Sequence, residues 1–562
     1  MKNKDIANIF REIVQLLKLH GDNVFKIRYY ENISIIIESL NVELCGIEPS
    51  SIQNIKGITT SAATLISDII ATGSSKKLQE LLNKTPNGIV ELLNVRGIGP
   101  TRLRTIWQNF GIETAEELLI ACKENKLVLL PGFGFKIQER IASSLIFMNN
   151  NKNMFICAKV LHYASTLINK LQQQFINKKI SITGAMRRRV EIVDAVEILI
   201  GTDNVSILLM ALDVDKSIKK VTSDEVSFWQ GFFVENGLKL IVRFCNPVDF
   251  YKQLILQTGS KEHLELKVNQ SKTIFEGITL QDVIASESDG YAKIGLPNIP
   301  AEIREGKLEF FWVSSGSPEL ITIKDLKGIL HVHTTASDGK DTLEAMANKC
   351  LSLGYEYMGV SDHSQSAFYA NGLKPDRVKK QQQEIEILNK KLFPFKILKG
   401  IESDILMDGR LDYDEEILKS FDYVIASVHS GFDMDITKAT DRIIKAIQNP
   451  YTTILGHPTG RLLLRREGFP IDYKAIIDAC KNNKVIIEIN TNPNRLELEW
   501  KWIDYAISKN VLLSINPDAH SVVEINDTIH GIDIGRKGGL TKNHTFNAFS
   551  LIKVSEYLNQ QL

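Results

Sequence analysis

At 562 residues the chain is too long for one hydrophobic core and implies three or four domains. Its 44% apolar and 24% charged content is that of a globular protein, which excludes a disordered chain. Lys and Arg (67) balance Asp and Glu (67), so any nucleic-acid contact is local, with few phosphates held per module. Six widely spaced cysteines (Cys45, Cys122, Cys157, Cys245, Cys350, Cys480) without a C-x-x-C pair suit a reducing compartment. They exclude a disulfide scaffold and a four-cysteine zinc site. The opening MKNKDIANIFREIVQLLKLHG reads as an amphipathic helix of mixed charge, and no run is long enough to cross a bilayer. A cytoplasmic, nucleoid-associated protein with no membrane partner is expected.

Residues 1–150 repeat one small unit. IKGITTSAATLISDII (55–70), VRGIGPTRLRTIWQNFG (95–111) and LPGFGFKIQERIASSL (130–145) each join a glycine-bearing turn to an amphipathic helix. Gly57, the pair Gly97 and Gly99, and the pair Gly132 and Gly134 let the backbone turn tightly and aim N–H groups outward at a helix start. That geometry can hold a phosphate without a basic side chain. Thr101 and Arg102 follow the second turn, where they could add contacts. One such turn reads as ordinary helix packing; three within 90 residues favour nucleic-acid backbone binding. The segments resemble helix-hairpin-helix motifs, which bind DNA without reading sequence. Thr59 replaces the second glycine of the first unit. With 17 basic against 15 acidic residues, backbone turns rather than a positive field must do the binding.

Residues 151–245 and 246–323 read as a small α+β region and a following helical one. A helix over 155–175 leads into apolar runs at 179–186, 195–201, 205–212 and 238–245, taken as strands of a mixed sheet. ITGAMRRRVEIVDAVEILIG resembles the palm of family X DNA polymerases, a nucleotidyltransferase-like fold, with 246–323 as its thumb-like region and linker. Gly184, Arg187 and Arg188 are kept. Where that family carries three aspartates, this chain has Ala195, Glu197 and Ile241. Nucleotidyl transfer needs two divalent ions on shared carboxylates, so the palm is expected to be inactive. Re-use of Asp194 and Glu197 through a bulge is the alternative, because a one-residue shift on a strand turns Asp194 to the opposite face. Thr258-Gly259-Ser260 resembles the family's nucleotide-contacting turn.

From 324 to 562 seven short apolar strands alternate with helices, the pattern of parallel strands joined by helical crossovers. Ligand-type side chains gather where strands end: His331, His333 and Asp338; His363; Glu402; His429; His457; Asp518 and His520. Eight of the chain's eleven histidines lie at or after position 331. On extended backbone each i,i+2 pair, His331 with His333 and Asp518 with His520, would grip one ion. A single histidine of this kind would read as a core or loop residue; nine ligands at repeated strand ends read as a metal centre for up to three ions. Mixed imidazole and carboxylate donors suit Mn²⁺ or Zn²⁺, with Fe²⁺ as an alternative, over Mg²⁺ or Ca²⁺. Such ions generate a nucleophile from water and neutralise phosphate oxygens, which makes the reaction class phosphoester hydrolysis. Arg461 and Arg465 could hold DNA phosphates. His530 and His544 fall outside the pattern.

The set resembles the PHP (polymerase and histidinol phosphatase) domain, a distorted (β/α)7 barrel with a trinuclear site. H-V-H-T-T-A-S-D-G (331–339) and S-D-H-S (361–364) match its opening motifs, and no ligand position of that family is missing. The order of domains resembles bacterial family X DNA polymerases. The resemblance implies catalytic roles for His331, His333, His363, Glu402, His429, His457, Asp518 and His520. It also implies a metal-dependent 3′–5′ exonuclease or 3′-end processing enzyme of DNA repair, acting as a monomer on gapped, nicked or 3′-ended DNA. Three alternatives stand beside it: a small-molecule phosphomonoesterase of the histidinol-phosphatase type, a still-active repair polymerase, and a non-catalytic DNA-binding scaffold.

Overall fold

The computed structural model describes residues 1–562 except 41, 96, 222–227, 269–271 and 561–562. They form two compact units, Met1–Lys152 and Asn153–Leu562. Among the described residues no helix is long and apolar enough to cross a membrane.

The first unit is helical. Helix α1 (Asn3–His20) buries Ile6, Phe10, Ile13 and Leu17 along one stripe and stops at Gly21, whose φ of 68° suits a left-handed cap. The three repeated turns lead into α2 (Thr60–Thr72), α3 (Pro100–Phe110) and α4 (Phe135–Asn150). In each the first glycine takes a positive φ: 91° at Gly57, 89° at Gly97 and 81° at Gly132. A side chain there would strain the backbone. The second position is ordinary extended backbone, with φ of −80° at Thr59, −75° at Gly99 and −91° at Gly134. Glycine is therefore not required there, and Thr59 uses its hydroxyl to accept from Ala62 N–H at 3.2 Å and cap α2. A Cβ on Gly99 or Gly134 would meet nothing within 4 Å, so those helix starts stay open.

The second unit begins with a five-stranded mixed sheet. Its strands are β1 (Lys179–Ile182), β2 (Ala195–Gly201), β3 (Ile218–Lys220), β4 (Phe228–Phe233) and β5 (Lys239–Cys245), in the order β1-β2-β5-β4-β3. Between β1 and β2 lies α5 (Gly184–Arg187). The run 205–212, expected as a strand, is instead helix α6 (Val205–Asp213). Leu208 and Leu212, one helical turn apart, are buried, whereas Ile207 and Met210 are exposed. A short run that is apolar on every face has no period to separate helix from strand. The hairpin β3–β4 was not anticipated. Short helices packed around Ile255, Ile274, Tyr291 and Trp312 follow.

The chain then forms seven parallel strands, β6 (Gly328–Ile329), β7 (Tyr357–Val360), β8 (Lys396–Asp404), β9 (Tyr423–Ser427), β10 (Ile454–Leu455), β11 (Ile486–Asn490) and β12 (Leu513–Asn516), adjacent in chain order. Crossover helices include α7 (Leu343–Ser352), α8 (Pro375–Lys391), α9 (Ile436–Ile447) and α10 (Tyr473–Asn483). They pack Met346, Ile385, Ile443 and Ile477 against the strands. The first and last strands meet just beyond their ends, where Val332 pairs with Ala519 and His333 N–H donates to the Ala519 carbonyl at 2.8 Å, so the barrel is nearly closed. Inside it Tyr423 donates to the Leu330 and Val360 carbonyls across the interior. Gly359 and Gly400 make room for its ring. His530 lies on helix α11 (Thr528–Lys537) and His544 on a short 3-10 turn.

Candidate metal centre and the palm surface

The nine expected ligands converge at the carboxyl ends of the barrel strands, around Glu402 on β8. Its Oε1 lies 3.4 Å from His331 Nε2, 3.2 Å from His429 Nε2 and 2.9 Å from His457 Nε2. Its Oε2 lies 2.9 Å from His363 Nδ1 and 3.7 Å from His333 Nε2. Ligand atoms fall into three overlapping groups, each within 4.8 Å: His331, His333 and Asp518; His333, Asp338, His363 and His520; and His363, Glu402 and His429. His457 joins through Glu402.

One detail departs from expectation. Asp518 and His520 fall in different groups, although Asp518 Oδ1 lies 3.9 Å from His520 Nδ1. The strand ends at Asn516, and Asp518 takes a left-handed φ of 52°. This strained turn sends Asp518 Oδ1 to His333 Nε2 (3.1 Å), while His520 Nε2 faces Asp338 Oδ2 (3.5 Å). His331 and His333 do share a group, and His333 also takes part in a second.

The donor set fits metal ions. His331 Nε2, His333 Nδ1 and His457 Nδ1 are buried without a hydrogen-bond partner, and the close approaches of His363 Nδ1 to Glu402 Oε2 and of His333 Nε2 to Asp518 are not aligned as hydrogen bonds. Each such atom costs about 1–3 kcal/mol unless something binds it. Imidazole lone pairs crowded around a carboxylate are the partners a divalent cation takes. Burial works against ionisation of Glu402 and Asp518, yet the surrounding histidines hold both well below the carboxylate range. Burial, then His520 and His363, push His333 down to about 3, whereas burial of His429 and His520 is outweighed by Glu402 and Asp404 for the first, raised to about 10, and by Asp338 and Asp518 for the second, raised to about 9.

Two carboxylates behind the ligands escaped the sequence reading. Glu488 on β11 takes His331 Nδ1 at 2.6 Å, and Asp404 at the end of β8 takes His429 Nδ1 at 2.6 Å. Each fixes its imidazole with Nε2 toward the centre. The signal was present as a lone acid in the apolar run VIIEIN and as an i,i+2 partner of Glu402. Asp362 is held by Thr334 N–H (2.7 Å), Thr334 Oγ1 (2.7 Å) and Ser337 Oγ (2.5 Å), which anchors the turn that presents Asp338. Arg495 Nε lies 3.6 Å from Asp518 Oδ2.

In the five-stranded sheet β2 pairs with β5 in unbroken parallel register from Ala195, which lies opposite Lys239, with Glu197 opposite Ile241; Asp194 is an exposed bend residue just before β2. Glu197 is engaged by Arg243 at 2.5 Å, and Gly184 leaves the space its carboxylate fills. Arg187 is bound to Glu287 (2.9 and 2.5 Å) and Thr258 Oγ1 (2.8 Å). Arg188 is bound to Glu305 (2.9 Å) and the Thr258 carbonyl (2.8 Å). Ser260 caps a short helix by accepting from His263 N–H. Arg461 is not presented to solvent: its side chain is 11% exposed and pairs with Glu191 (3.3 Å) and Glu499 (3.0 Å), tying the segment before β2 to the barrel. Arg465 is exposed. In the helical unit Thr101 and Arg102 are exposed, and Arg102 Nη1 folds back onto the Gly97 carbonyl at 3.3 Å.

A nearly closed barrel of seven parallel strands with this His/carboxylate rim defines a PHP-type metallo-phosphoesterase domain. The PHP domain model matches residues 330–492, a helix-hairpin-helix domain matches 1–75, and a SAM-like helix-hairpin-helix tandem matches 89–145. The chain is 34% identical, over the full length of both proteins, to the DNA polymerase/3′-5′ exonuclease PolX of Bacillus subtilis (strain 168). It belongs to the PolX family. The barrel half is also similar to a probable phosphatase of Thermoanaerobacter sp. (strain X514), at 29% identity over 42% of this chain and 96% of that protein. A probable phosphatase of Clostridium acetobutylicum is 32% identical over 29% of this chain and 63% of that protein.

Proposed function

We propose that the protein is a metal-dependent 3′–5′ exonuclease or 3′-end phosphoesterase acting on DNA in repair, and that its palm does not polymerise. The observation that carries this reading is the convergence of nine ligand-type side chains on Glu402 in a chain that also holds three helix-hairpin-helix turns. In this reading 1–150 grips the DNA backbone, 151–245 and 246–323 are a degenerate palm and thumb, and 324–562 is the hydrolase. His331, His333, Asp338, His363, Glu402, His429, His457, Asp518 and His520 hold up to three ions, Mn²⁺ or Zn²⁺ with Fe²⁺ as the alternative. Bound there, the ions supply a nucleophile from water at neutral pH and charge to neutralise the phosphate. The protein's own part is to hold protons on His331 Nδ1 and His429 Nδ1 through Glu488 and Asp404, so that both Nε2 lone pairs face inward. Gapped, nicked or 3′-ended duplexes, a monomer and a cytoplasmic setting belong to the same proposal.

The degenerate palm rests on Ala195 and Ile241, which offer no oxygen ligand, and on Glu197, which is paired with Arg243. A phosphomonoesterase is the second reading, favoured by the coverage of nearly a whole probable phosphatase by the barrel half alone. The helix-hairpin-helix turns give a small-molecule phosphatase nothing to do. Purified protein with Mn²⁺ should shorten a 5′-labelled oligonucleotide one nucleotide at a time. The double variant H331A/H333A should lose that while still binding DNA. Turnover of a small phosphomonoester alone would sink the exonuclease reading, and primer extension with dNTPs would overturn the inactive palm.

A further inference from the structure

The segment after His363 is a loop closed on itself. Leu373 N–H donates to the His363 carbonyl at 2.8 Å, and Ser364 pairs with Leu373. Ala367 and Ala370 are buried beneath it. Ser366 donates through its N–H to Asp412 (2.7 Å) and through its hydroxyl to Asp404 (3.0 Å), the carboxylate that orients His429. Arg377 clasps the other side through the Asn371 and Ala336 carbonyls. A Cβ on Gly372 would stand 1.9 Å from the Ser364 carbonyl, so the two arms touch. On this pinned loop a 3-10 turn (Phe368–Ala370) leaves Phe368 85% and Tyr369 71% exposed. The Tyr369 ring centroid lies 6.2 Å from that of His363. Two neighbouring large aromatics held out into solvent beside a reactive centre mark a binding surface rather than a packing residue.

We propose that Phe368 and Tyr369 form a stacking platform for the nucleobase at the 3′ end of the DNA strand whose phosphodiester lies at the Glu402 centre. The inference rests on the exonuclease reading and names its substrate subsite. A ligand with its phosphate at the histidines is a phosphoester, and the group one nucleotide's reach away that gains from two flat apolar rings is a base. Stacking accepts every base because each has a π face, which suits an enzyme that removes nucleotides without reading sequence. An aliphatic phosphomonoester would gain nothing from the same rings.

The test uses the full chain in EDTA with a duplex carrying 2-aminopurine as its 3′-terminal base, and a second duplex ending in an abasic sugar. Wild type should quench the 2-aminopurine. F368A and Y369A should lose the quench and bind the base-ended duplex roughly ten-fold more weakly, with affinity for the abasic-ended duplex unchanged. Y369F should behave as wild type. Quenching retained in the double variant F368A/Y369A, or equal weakening for both duplexes, overturns the platform. Quenching lost with the rings while no divalent metal gives any strand shortening would keep the platform and sink the exonuclease reading. Stepwise shortening in Mn²⁺ with no quench would do the reverse.

Discussion

His331 and His429 each have two faces, and the carboxylate behind decides what the front can do. Glu488 and Asp404 accept from the two Nδ1 atoms at 2.6 Å and so keep both Nε2 lone pairs for the centre. Glu488→Gln places an amide where the acceptor was, and one oxygen of Glu488 also receives His457 N–H at 2.9 Å. We expect E488Q and D404N each to weaken Mn²⁺ binding by about 10- to 100-fold in calorimetric titration, with the fold retained. Unchanged affinity would mean that imidazole orientation is set elsewhere. The nine candidate ligands were legible because histidine is scarce in the chain and falls at repeated strand ends. Glu488 and Asp404 were not, because a ligand and the acid that orients it carry the same letter in a sequence. Nor could alternation foresee that Asp518, at φ 52°, would fall in a different group from His520.

At the level of elements, the three turns separate two uses of glycine that their shared spelling hides. Gly97 sits at φ 89°, where an alanine is strained; Gly99 sits at −75°, where a serine would cap α3 as Thr59 caps α2. G97A should therefore cost about 1–3 kcal/mol in chemical denaturation of the helical unit. G99S should leave that unit as stable or slightly more so, yet weaken DNA binding in a fluorescence-anisotropy titration if the open N–H groups meet phosphate. Equal effects of both changes on stability would refute the distinction. The mixed sheet and the short helices after it share a pH-dependent joint. Burial of Glu287 opposes ionisation, but Arg187 and Arg304 more than offset it and hold its carboxyl at about 2. A pKa lowered by folding contributes stability fully above the unfolded value near 4.5, and that stability is lost as pH falls toward about 2. E287Q should be less stable than wild type at pH 7 by on the order of 2–3 kcal/mol, and the gap in urea midpoints should narrow by pH 3. A gap independent of pH would show that packing, not charge, joins the arginines to Glu287. The barrel's strands and crossovers could be read ahead because each apolar run was short and each helix periodic. The 205–213 helix could not, since its apolar residues face every side.

For the whole molecule, the two compact units have different reasons to be stable. Met1–Lys152 is built on one apolar core of helices, with Ile6, Phe10, Leu17, Ile66 and Leu103 in it. Asn153–Leu562 includes a barrel whose upper end is a cluster of buried histidines and acids with several polar atoms left unpartnered. Metal ions that bind those atoms bind only the folded barrel, so they stabilise it by mass action, about 2.7 kcal/mol for one site at a free concentration one hundred times Kd. The helical unit gains nothing, because its turns rely on backbone N–H groups and helix caps. The mixed sheet and the short helices after it should gain with the barrel, since Arg461–Glu191, Arg536–Glu302 and the buried Lys537, which reaches Glu305 and the Arg188 carbonyl, tie them to it. Scanning calorimetry of the full chain in EDTA and then in Mn²⁺ should show the transition of Asn153–Leu562 rise by several degrees while that of Met1–Lys152 stays in place. Limited proteolysis across the same temperatures would assign each transition to its unit. The H331A/H333A variant removes two buried donors and leaves Glu488, Glu402 and Asp518 short of partners, so its EDTA transition should lie below wild type and should no longer answer to Mn²⁺. A Mn²⁺ shift that survives in that variant would place the ions outside the Glu402 centre, and with them the chemistry.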